Sequence, residues 1–299
     1  MTALEAIGGG RPLDTNEFAR RSYEYVKNPL RNPVKEILDR AASHERTPPL
    51  LGIFNDIPRH KQRDDEVLTW AKAGFSFIVN DAEHLQWEGW YGREQNASQL
   101  RNGLLPVQRL HREALSSHGD AFRLGARATM RPYCTSLSEA EQYYSAIDFP
   151  EPENARPSSR GGYPVRDGAH NFLFTPGELL HAERDTQGWL QFETGELLLD
   201  TGVRDRVLEL MNERGKNRAC GFVGPFDVIL REGDLPEMEE SIAGLFRAAS
   251  RREVHVGRVV GSGSLSGPAD IEDAMVKAIE QGARLLCVHY FTRALPLLG

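Results

Sequence analysis

Short apolar segments alternate with segments of helical periodicity along most of this chain, and this alternation constrains the fold more than any other feature. Continuously apolar runs such as 49–54 and 75–79 suit strands buried on both faces. Successive strands separated by helices pair in parallel through right-handed crossovers, so the alternation predicts an α/β fold. The predicted strands are 49–54, 75–81, 104–110, 127–132, 188–193, 220–228, 254–261 and 284–290, and the predicted helices between them are 64–74, 112–125, 136–147, 175–183, 195–214, 237–252 and 268–282.

Eight strand–helix units in roughly 250 residues predict a (β/α)₈ barrel, the TIM barrel. We assign the barrel as a single catalytic domain over 46–299, preceded by an N-terminal helical extension over 1–45. A doubly wound open sheet has the same alternation, and the number of strands alone does not exclude it.

Composition restricts the function classes. The chain has 36 Lys and Arg against 43 Asp and Glu, a net charge of −7, which argues against nucleic acid as the main partner. No apolar run approaches the roughly 20 residues needed to span a bilayer. The first residues show no secretory signal, and Cys134, Cys220 and Cys287 are too few and too far apart for a disulfide framework. We therefore expect a reduced, cytoplasmic, soluble protein with no membrane partner.

Polar residues follow the second and third predicted strands where each apolar run ends. Asp81, Glu83 and His84 come directly after the second run, and Arg109 closes the third. The carboxyl ends of barrel strands converge on one face, where enzymes of this fold keep their catalytic residues. The pattern favours a site there. The alternative interpretation is that an Asp or Asn of this segment caps the next helix and that His84 is an ordinary surface residue.

Two further acids, Glu193 and Asp227, follow the fifth and sixth strands, and Gln191 lies two residues before the first of them. Carboxylate oxygens suit a hard divalent cation, which keeps several waters when only one or two carboxylates bind it. Each acid alone is better explained as a helix cap or first-turn residue. Because the two follow adjacent predicted strands, the pair instead favours a metal site with open positions for a chelating substrate.

Four motifs occur in order along the chain: IVNDAEH (78–84), LPVQRL (105–110), QFET (191–194) and GFVGPFD (221–227). Together they resemble the signature blocks of the HpcH/HpaI family of class II pyruvate aldolases, which belongs to a superfamily that includes macrophomate synthase. The resemblance implies a metal-dependent carbon–carbon lyase. Such an enzyme cleaves or forms 4-hydroxy-2-oxo acids through a pyruvate enolate.

The resemblance also implies roles by position. Glu193 and Asp227 would bind Mg²⁺ or Mn²⁺, which a 2-oxo acid such as pyruvate chelates. Asp81 would orient His84, the acid/base catalyst, and Arg109 would add positive charge near the developing oxyanion. Gln191 and Glu83 are implied to support these residues, either in contact with the substrate and metal or from directly behind them. The substrate-binding residues implied are Arg109, Gln191, Gly224, Pro225, Phe226 and Asp227.

The second partner is expected to be an aldehyde or an unsaturated acceptor, and the resemblance implies a homo-oligomer. Two alternatives remain open at this point. One is a macrophomate synthase-like enzyme that decarboxylates oxaloacetate and forms a carbon–carbon bond in biosynthesis. The other is a non-catalytic barrel that only binds a ligand. The sequence after His84, with Leu85, Trp87 and Trp90, departs from the family pattern and favours a distinct acceptor specificity.

Three other features have weaker interpretations. A class I aldolase needs a lysine for its Schiff base, and no lysine falls at the end of a predicted strand. The glycine-rich segment 261–267 is a tight turn rather than a dinucleotide fingerprint, because its third glycine is displaced. His289 on the last strand is predicted to be a core histidine rather than a ligand.

Overall fold

The computed structural model describes residues 49–55, 64–83, 89–111, 121, 125–147, 187–215, 218–224, 228–229, 237–260 and 268–289. Within these ranges eight parallel strands close into a barrel in which each strand pairs with its neighbours in sequence and β8 pairs with β1. The TIM barrel prediction is confirmed, and the open sheet is excluded. The strands are β1 (Leu50–Asn55), β2 (Phe77–Asp81), β3 (Leu105–Arg109), β4 (Ala128–Arg131), β5 (Gln187–Phe192), β6 (Ala219–Val223), β7 (His255–Val260) and β8 (Leu285–His289).

The described helices follow the strands around the outside of the barrel. The bounds of these helices are α1 (Asp64–Lys72), α2 (Gly89–Arg101), α3 (Leu137–Ile147), α4 (Gly195–Leu198), α5 (Thr201–Glu213), α6 (Met238–Arg251) and α7 (Pro268–Glu280).

The predicted helix 195–214 is wrong as one element, because the chain forms the short α4 and then α5. Asp200 separates them as the N-cap of α5, and its carboxylate accepts hydrogen bonds from the backbone N–H groups of Gly202 and Val203. An N-cap residue has non-helical backbone angles, so the helix restarts at this position. The predicted strand 220–228 is also too long. β6 ends at Val223, before a Gly-Pro pair whose proline has no N–H to donate to a strand ladder.

Two apolar layers hold the barrel. Inside it, the inward-facing side chains of successive strands fill the lumen, with Trp189 and Phe222 stacked 5.2 Å apart and Phe77 edge-on to both. Outside it, residues such as Ile53 and Ile78 pack against the helices. This alternation along each strand determines which side chains at the strand ends face the mouth of the barrel.

Helix α2 was not predicted, because the face that it buries against the barrel is polar. Asn96 and Gln99 on α2 both accept a hydrogen bond from the buried Asn80 side chain, and Gln99 donates one back to it. Asn55 on β1 donates to Asn80 in turn, at 3.3 Å. We call these four residues the amide cluster. Because α2 faces the barrel with amides, it lacks the apolar stripe by which a helix is recognised in a sequence.

Several predictions lie outside the described residues. They are the extension 1–45, most of the helix 112–125, the helix 175–183 and the glycine-rich segment 261–267. The division of the chain at residue 46 therefore stays a prediction. In the part of the chain that the structure describes, no helix is both long and apolar enough to span a bilayer.

Candidate active site

Arg109, the last residue of β3, lies at the centre of a buried charged group at the carboxyl end of the barrel. Its guanidinium is 2.7 Å from Glu83, 3.6 Å from Asp81 and 3.7 Å from Glu193. Its Nε donates a 2.7 Å hydrogen bond to the side-chain oxygen of Gln191. One guanidinium thus joins residues from β2, β3 and β5, which is the geometry expected of a group that orients a reacting centre.

Strand register explains how Asp81 and Arg109 meet. The two residues are direct partners in the β2–β3 ladder, and each ends a strand whose alternate residues, including Val79 and Val107, face the lumen. The alternation continues to the strand ends, so both charged side chains also face inward. Asp81 additionally accepts the backbone N–H of Glu83 at 3.0 Å, and this turn directs the Glu83 carboxylate back towards Arg109.

Glu193 is held at both carboxylate oxygens. Oε1 accepts the backbone N–H of Tyr133 at 2.8 Å, and Oε2 accepts the side-chain N–H of Gln191 at 2.9 Å. Tyr133 has a positive φ of 49°, a conformation uncommon for a residue with a side chain, and this turn after β4 directs its N–H towards Glu193. The carboxylate is only 2% exposed, so its position is fixed by these donors rather than by solvent.

The next residue, Thr194, fixes the backbone on the other side of Glu193. Its hydroxyl donates to the carbonyl of Cys134 at 2.9 Å and accepts the N–H of Leu197 as the N-cap of α4. The loop after β4 and the end of β5 are therefore tied together directly beside the carboxylate. Each polar residue of the motif QFET therefore has a structural role: Gln191 provides an amide, Glu193 a carboxylate and Thr194 a helix cap.

Gly224 lies against the Glu193 carboxylate. A Cβ at position 224 would be 3.1 Å from Glu193 Oε2 and 3.6 Å from Gln191 Nε2. The missing side chain therefore leaves space directly beside a buried carboxylate oxygen. Three carboxylates lie within 4 Å of one guanidinium here, and carboxylate oxygens are the ligands that a hard divalent cation prefers. Glu193, with Gly224 beside it, is the described residue that fits a divalent metal.

The predicted site residues divide into two groups. The structure brings together Asp81, Glu83, Arg109, Gln191 and Glu193, with Gly224 alongside. His84, Pro225, Phe226 and Asp227 lie outside the described residues, so the orientation of His84 by Asp81 and the pairing of Glu193 with Asp227 stay predictions. Within the described ranges, no three His, Cys, Asp or Glu side chains converge as a metal site.

Glu83 is in direct contact with Arg109. We predicted a supporting role for it, and among the described ion pairs of Arg109 its carboxylate makes the shortest. Glu83 thus shares the guanidinium with Gln191 and contributes directly to the charge of the barrel mouth.

Sequence reasoning missed three residues of the mouth. Tyr133 acts through its backbone N–H, which no sequence pattern reveals. Phe54 faces inward at the end of β1, and the Arg109 guanidinium lies over its ring, 5.5 Å from the centroid. His289 was predicted to be a core residue, but it is only half-buried and stacks on Phe54 with ring centroids 5.3 Å apart.

The three cysteines are buried. Burial raises the pKa of the Cys134 thiol to about 11, and burial also raises the pKa of Cys220 and Cys287. A thiol with a raised pKa stays protonated at neutral pH and is a poor nucleophile.

Comparison with solved structures identifies the fold. An HpcH/HpaI aldolase/citrate lyase family protein from Burkholderia cenocepacia J2315 is 23% identical, with a TM-score of 0.62 over 85% of this chain and 92% of that one. An HpcH/HpaI aldolase from Desulfitobacterium hafniense DCB-2 is 19% identical, with a TM-score of 0.61 over 84% of this chain and 89% of that one. The chain has the fold of the HpcH/HpaI aldolases.

Macrophomate synthase is similar as well, at 18% identity and a TM-score of 0.60 over 89% of this chain and 86% of that one. No family model matches the sequence, and no curated protein matches it. The structural neighbours therefore agree with the family that the four motifs resemble. Identities this low establish the fold, and the reaction has to be argued from the site.

Proposed function

We propose that this protein is a metal-dependent carbon–carbon lyase that acts on a 2-oxo acid through a pyruvate enolate. The observation that carries the proposal is the buried contact of Arg109 with Gln191 and Glu193 at the carboxyl end of the barrel. The three side chains are a cation, an amide and a rigidly held carboxylate. They belong to LPVQRL and QFET, two of the motifs that resemble class II pyruvate aldolases. The substrates would be a 4-hydroxy-2-oxo acid in the cleavage direction, and pyruvate and an aldehyde in the other.

Arg109 supplies positive charge where negative charge develops. When a carbon–carbon bond beside a keto group breaks, the electron pair moves towards the keto oxygen and forms an enolate. A guanidinium fixed in a buried site stabilises that charge strongly because it needs no reorientation during the reaction. Gln191 and Glu83 hold the guanidinium at 2.7 Å each, so Arg109 is oriented before the substrate binds.

The donor set fits a divalent cation at Glu193. The carboxylate is buried and held by two N–H donors, and Gly224 leaves space beside Oε2. We propose Asp227 as its companion ligand and Mg²⁺ or Mn²⁺ as the metal. When bound, the cation would supply Lewis-acid stabilisation of the keto oxygen.

We assign proton transfer to His84, with Asp81 as the residue that orients it. An imidazole titrates near neutral pH and can both give and accept a proton, as cleavage and addition each require. Asp81 Oδ1 accepts the Glu83 N–H, and its Oδ2 faces Arg109, so the carboxylate is fixed in the turn that leads to His84.

Imine chemistry fits this barrel poorly. The described lysines, Lys72 and Lys277, both lie on outer helices, α1 and α7. A Schiff-base lysine has to reach the substrate at the barrel mouth. The described part of the chain therefore favours enolate formation by charge stabilisation.

A second candidate is the decarboxylation of oxaloacetate followed by addition of the enolate to an unsaturated acceptor. It is favoured by the similarity in fold to macrophomate synthase and by the departure from the family pattern after His84. Both reactions share the enolate. They differ in how it forms, by loss of carbon dioxide from oxaloacetate or by aldol cleavage, and in the acceptor with which it reacts.

The test is metal-dependent pyruvate release from oxaloacetate and from a 4-hydroxy-2-oxo acid, with and without a chelator. Glu193→Ala is expected to abolish release from both substrates. Glu196→Ala is the matched control, since Glu196 is exposed on the adjacent helix α4. Release from oxaloacetate alone would favour the second candidate. Pyruvate binding without turnover of any oxo acid would leave a non-catalytic barrel.

A further inference from the structure

Phe54 lies near the end of β1, on the side of the strand that faces the inside of the barrel. Leu50 on the same strand faces the lumen, and Phe54 follows the same alternation of side chains. The residue is only 5% exposed. An aromatic ring is therefore buried at the carboxyl end of the barrel, where the proposed catalytic groups lie.

Arg109 reaches this ring from β3. Its guanidinium lies over the Phe54 ring, with the central carbon 5.5 Å from the ring centroid. This distance is within the range of about 6 Å in which the negative face of an aromatic ring attracts a cation. Both residues are buried, so water screens the attraction little. The contact therefore favours one position of the guanidinium over others.

The polar contacts of Arg109 are made through its nitrogen atoms. Nε donates a hydrogen bond to Gln191 at 2.7 Å, and Nη2 lies 2.7 Å from the Glu83 carboxylate. Phe54 has no polar atom in its side chain, so it adds a contact without competing with these partners. The guanidinium is thus held by polar groups that follow β2 and lie on β5, and by an aromatic ring on β1.

The Phe54 ring is itself held by His289 on β8. The two residues are direct partners in the β1–β8 ladder, and their rings stack at an interplanar angle of 7° with centroids 5.3 Å apart. The stack involves the face of the imidazole and not its nitrogens. Because His289 packs against the Phe54 ring, it limits how far that ring can tilt away from Arg109.

We propose that Phe54 is a positioning residue that acts through Arg109. Its ring, supported by His289, would hold the guanidinium where it stabilises the enolate. This inference rests on the proposed lyase function. A cation fixed in advance stabilises developing charge better than a mobile one, because it does not have to reorient during the reaction. Phe54 itself forms no bond with the substrate and transfers no proton.

The competing explanation is that Phe54 only fills the end of the lumen, as Phe77 and Phe222 fill its interior. The two explanations predict different kinetics. A residue that only fills space affects stability, whereas a residue that positions Arg109 affects an interaction made in the transition state. Loss of such an interaction lowers kcat and leaves KM nearly unchanged.

The experiment measures kcat and KM for exchange of the pyruvate methyl protons with solvent by the metal-loaded protein, together with the affinity for Mn²⁺. Phe54→Leu keeps an apolar side chain and removes the ring. We expect kcat to fall about tenfold, the effect of one buried contact between a cation and a ring. KM and the affinity for Mn²⁺ should change less than about twofold, because the metal site does not include Phe54.

Two further variants separate the ring from its volume. Phe54→Tyr keeps an aromatic ring over which the guanidinium can lie, and it should retain most of the wild-type kcat. Phe246→Leu is the matched control, because Phe246 is a buried aromatic residue of α6 in the outer apolar layer. It should lower stability without changing kcat.

A double-mutant cycle tests whether Phe54 acts through Arg109. Arg109→Lys keeps the positive charge and removes the planar guanidinium. In that background Phe54→Leu should lower kcat less than about twofold, because the group that the ring positions is already gone. An equal loss of kcat in both backgrounds would show that Phe54 does not act through Arg109.

Variants of His289 test the support of the ring. His289→Phe and His289→Leu both remove the two nitrogens, so a difference between them reports the stacked ring. We expect kcat of the Phe variant to be about threefold higher than that of the Leu variant. Equal values would contradict the role of the stack.

Failure of this inference can be distinguished from failure of the lyase proposal. If the wild type exchanges the protons and Phe54→Leu has an unchanged kcat, the positioning role is wrong and the lyase proposal stands. Equal losses of kcat in Phe54→Leu and Phe54→Tyr would also contradict it. If Phe54→Leu does not fold, Phe54→Met replaces it as the variant without a ring. If the wild type shows no exchange, the lyase proposal fails and this inference fails with it.

Discussion

The Arg109 guanidinium lies 2.7 Å from the Glu83 carboxylate, and the two side chains are only 7% and 9% exposed. A buried ion pair contributes little net stability, since removing two charges from water offsets most of their attraction. Removing one partner lowers the stability much more, because the remaining charge stays buried without a counter-charge. The arrangement of the proposed catalytic residues and the stability of the barrel mouth are therefore coupled through Arg109.

Arg109→Ala is expected to destabilise the protein by about 3–5 kcal/mol, because several buried carboxylates lose their counter-charge. Adding Glu83→Gln to that variant should recover part of the loss by removing one of these charges. Urea unfolding of the two variants and of the Glu83→Gln single variant measures the coupling. Arg247→Ala is the control and should have little effect, because its ion pair with Glu240 is exposed. Strict additivity of the two changes would contradict the coupling.

Gly224→Ala should impair activity and leave the fold intact. The added methyl would meet Glu193 Oε2 at 3.1 Å, and the carboxylate cannot move away without breaking its hydrogen bond to Tyr133 or Gln191. We expect about a tenfold loss of kcat/KM, since small displacements of a reacting group are sufficient for such an effect. Gly244→Ala on α6 is the matched control with only ordinary contacts, and it should preserve activity. Unchanged activity in Gly224→Ala would show that the space beside Glu193 is not used.

The barrel could be predicted because its signals are local. Buried parallel strands appear in the sequence as short apolar runs. These runs alternate with amphipathic helices, and the chain is long enough for eight strand–helix units. The same rule found Asp81, Arg109 and Glu193, since polar residues that end apolar strands face the mouth. The ends of helices were less predictable, because acidic residues occur both as N-caps and within the first turn of a helix. Asp200 is an example, since it is the N-cap of α5.

The unpredicted features depend on contacts between distant parts of the chain. Helix α2 faces the barrel with Asn96 and Gln99, whose partner Asn80 lies 16 and 19 residues earlier. The stack of Phe54 on His289 exists only because β1 and β8 close the barrel. No periodicity within one segment contains that information.

The amide cluster gives a prediction of stability. Gln99 and Asn80 exchange two hydrogen bonds of 3.0 Å, and both are fully buried. Gln99→Leu leaves the Asn80 amide short of partners, and we expect a loss of about 1–3 kcal/mol. Gln142→Leu on α3 is the control, because the hydrogen bond of Gln142 to Ser138 is exposed. Thermal or urea unfolding measures both, and equal effects of the two changes would argue against the cluster.

Glu239 gives a prediction of pH dependence. Burial alone would raise the pKa of this carboxyl, but hydrogen bonds from Arg258 and Lys277 outweigh it and lower the pKa to about 2. A lowered pKa means that the stabilisation is complete above the ordinary value near 4.5 and is lost as the pH falls towards 2.

The free energy of unfolding of the wild type should therefore exceed that of Glu239→Gln at neutral pH. The difference should be modest, about 1 kcal/mol, because the Glu239 side chain is 43% exposed and solvent screens the ion pairs. It should shrink as the pH falls from 5 to 2. Glu240→Gln on the same helix has an exposed partner and should show no such trend. A difference that is constant with pH would mean that the ion pairs of Glu239 do not stabilise the fold.

The measurement that tests the proposed enolate chemistry most directly is exchange of the pyruvate methyl protons with deuterated water, followed by NMR. We expect exchange that requires Mg²⁺ or Mn²⁺, stops on addition of a chelator, and is lost in Glu193→Ala while Glu196→Ala retains it. These results would support Glu193 as a metal ligand in the formation of the enolate. Absence of exchange from the metal-loaded wild type, or exchange that survives Glu193→Ala, would contradict the proposed function.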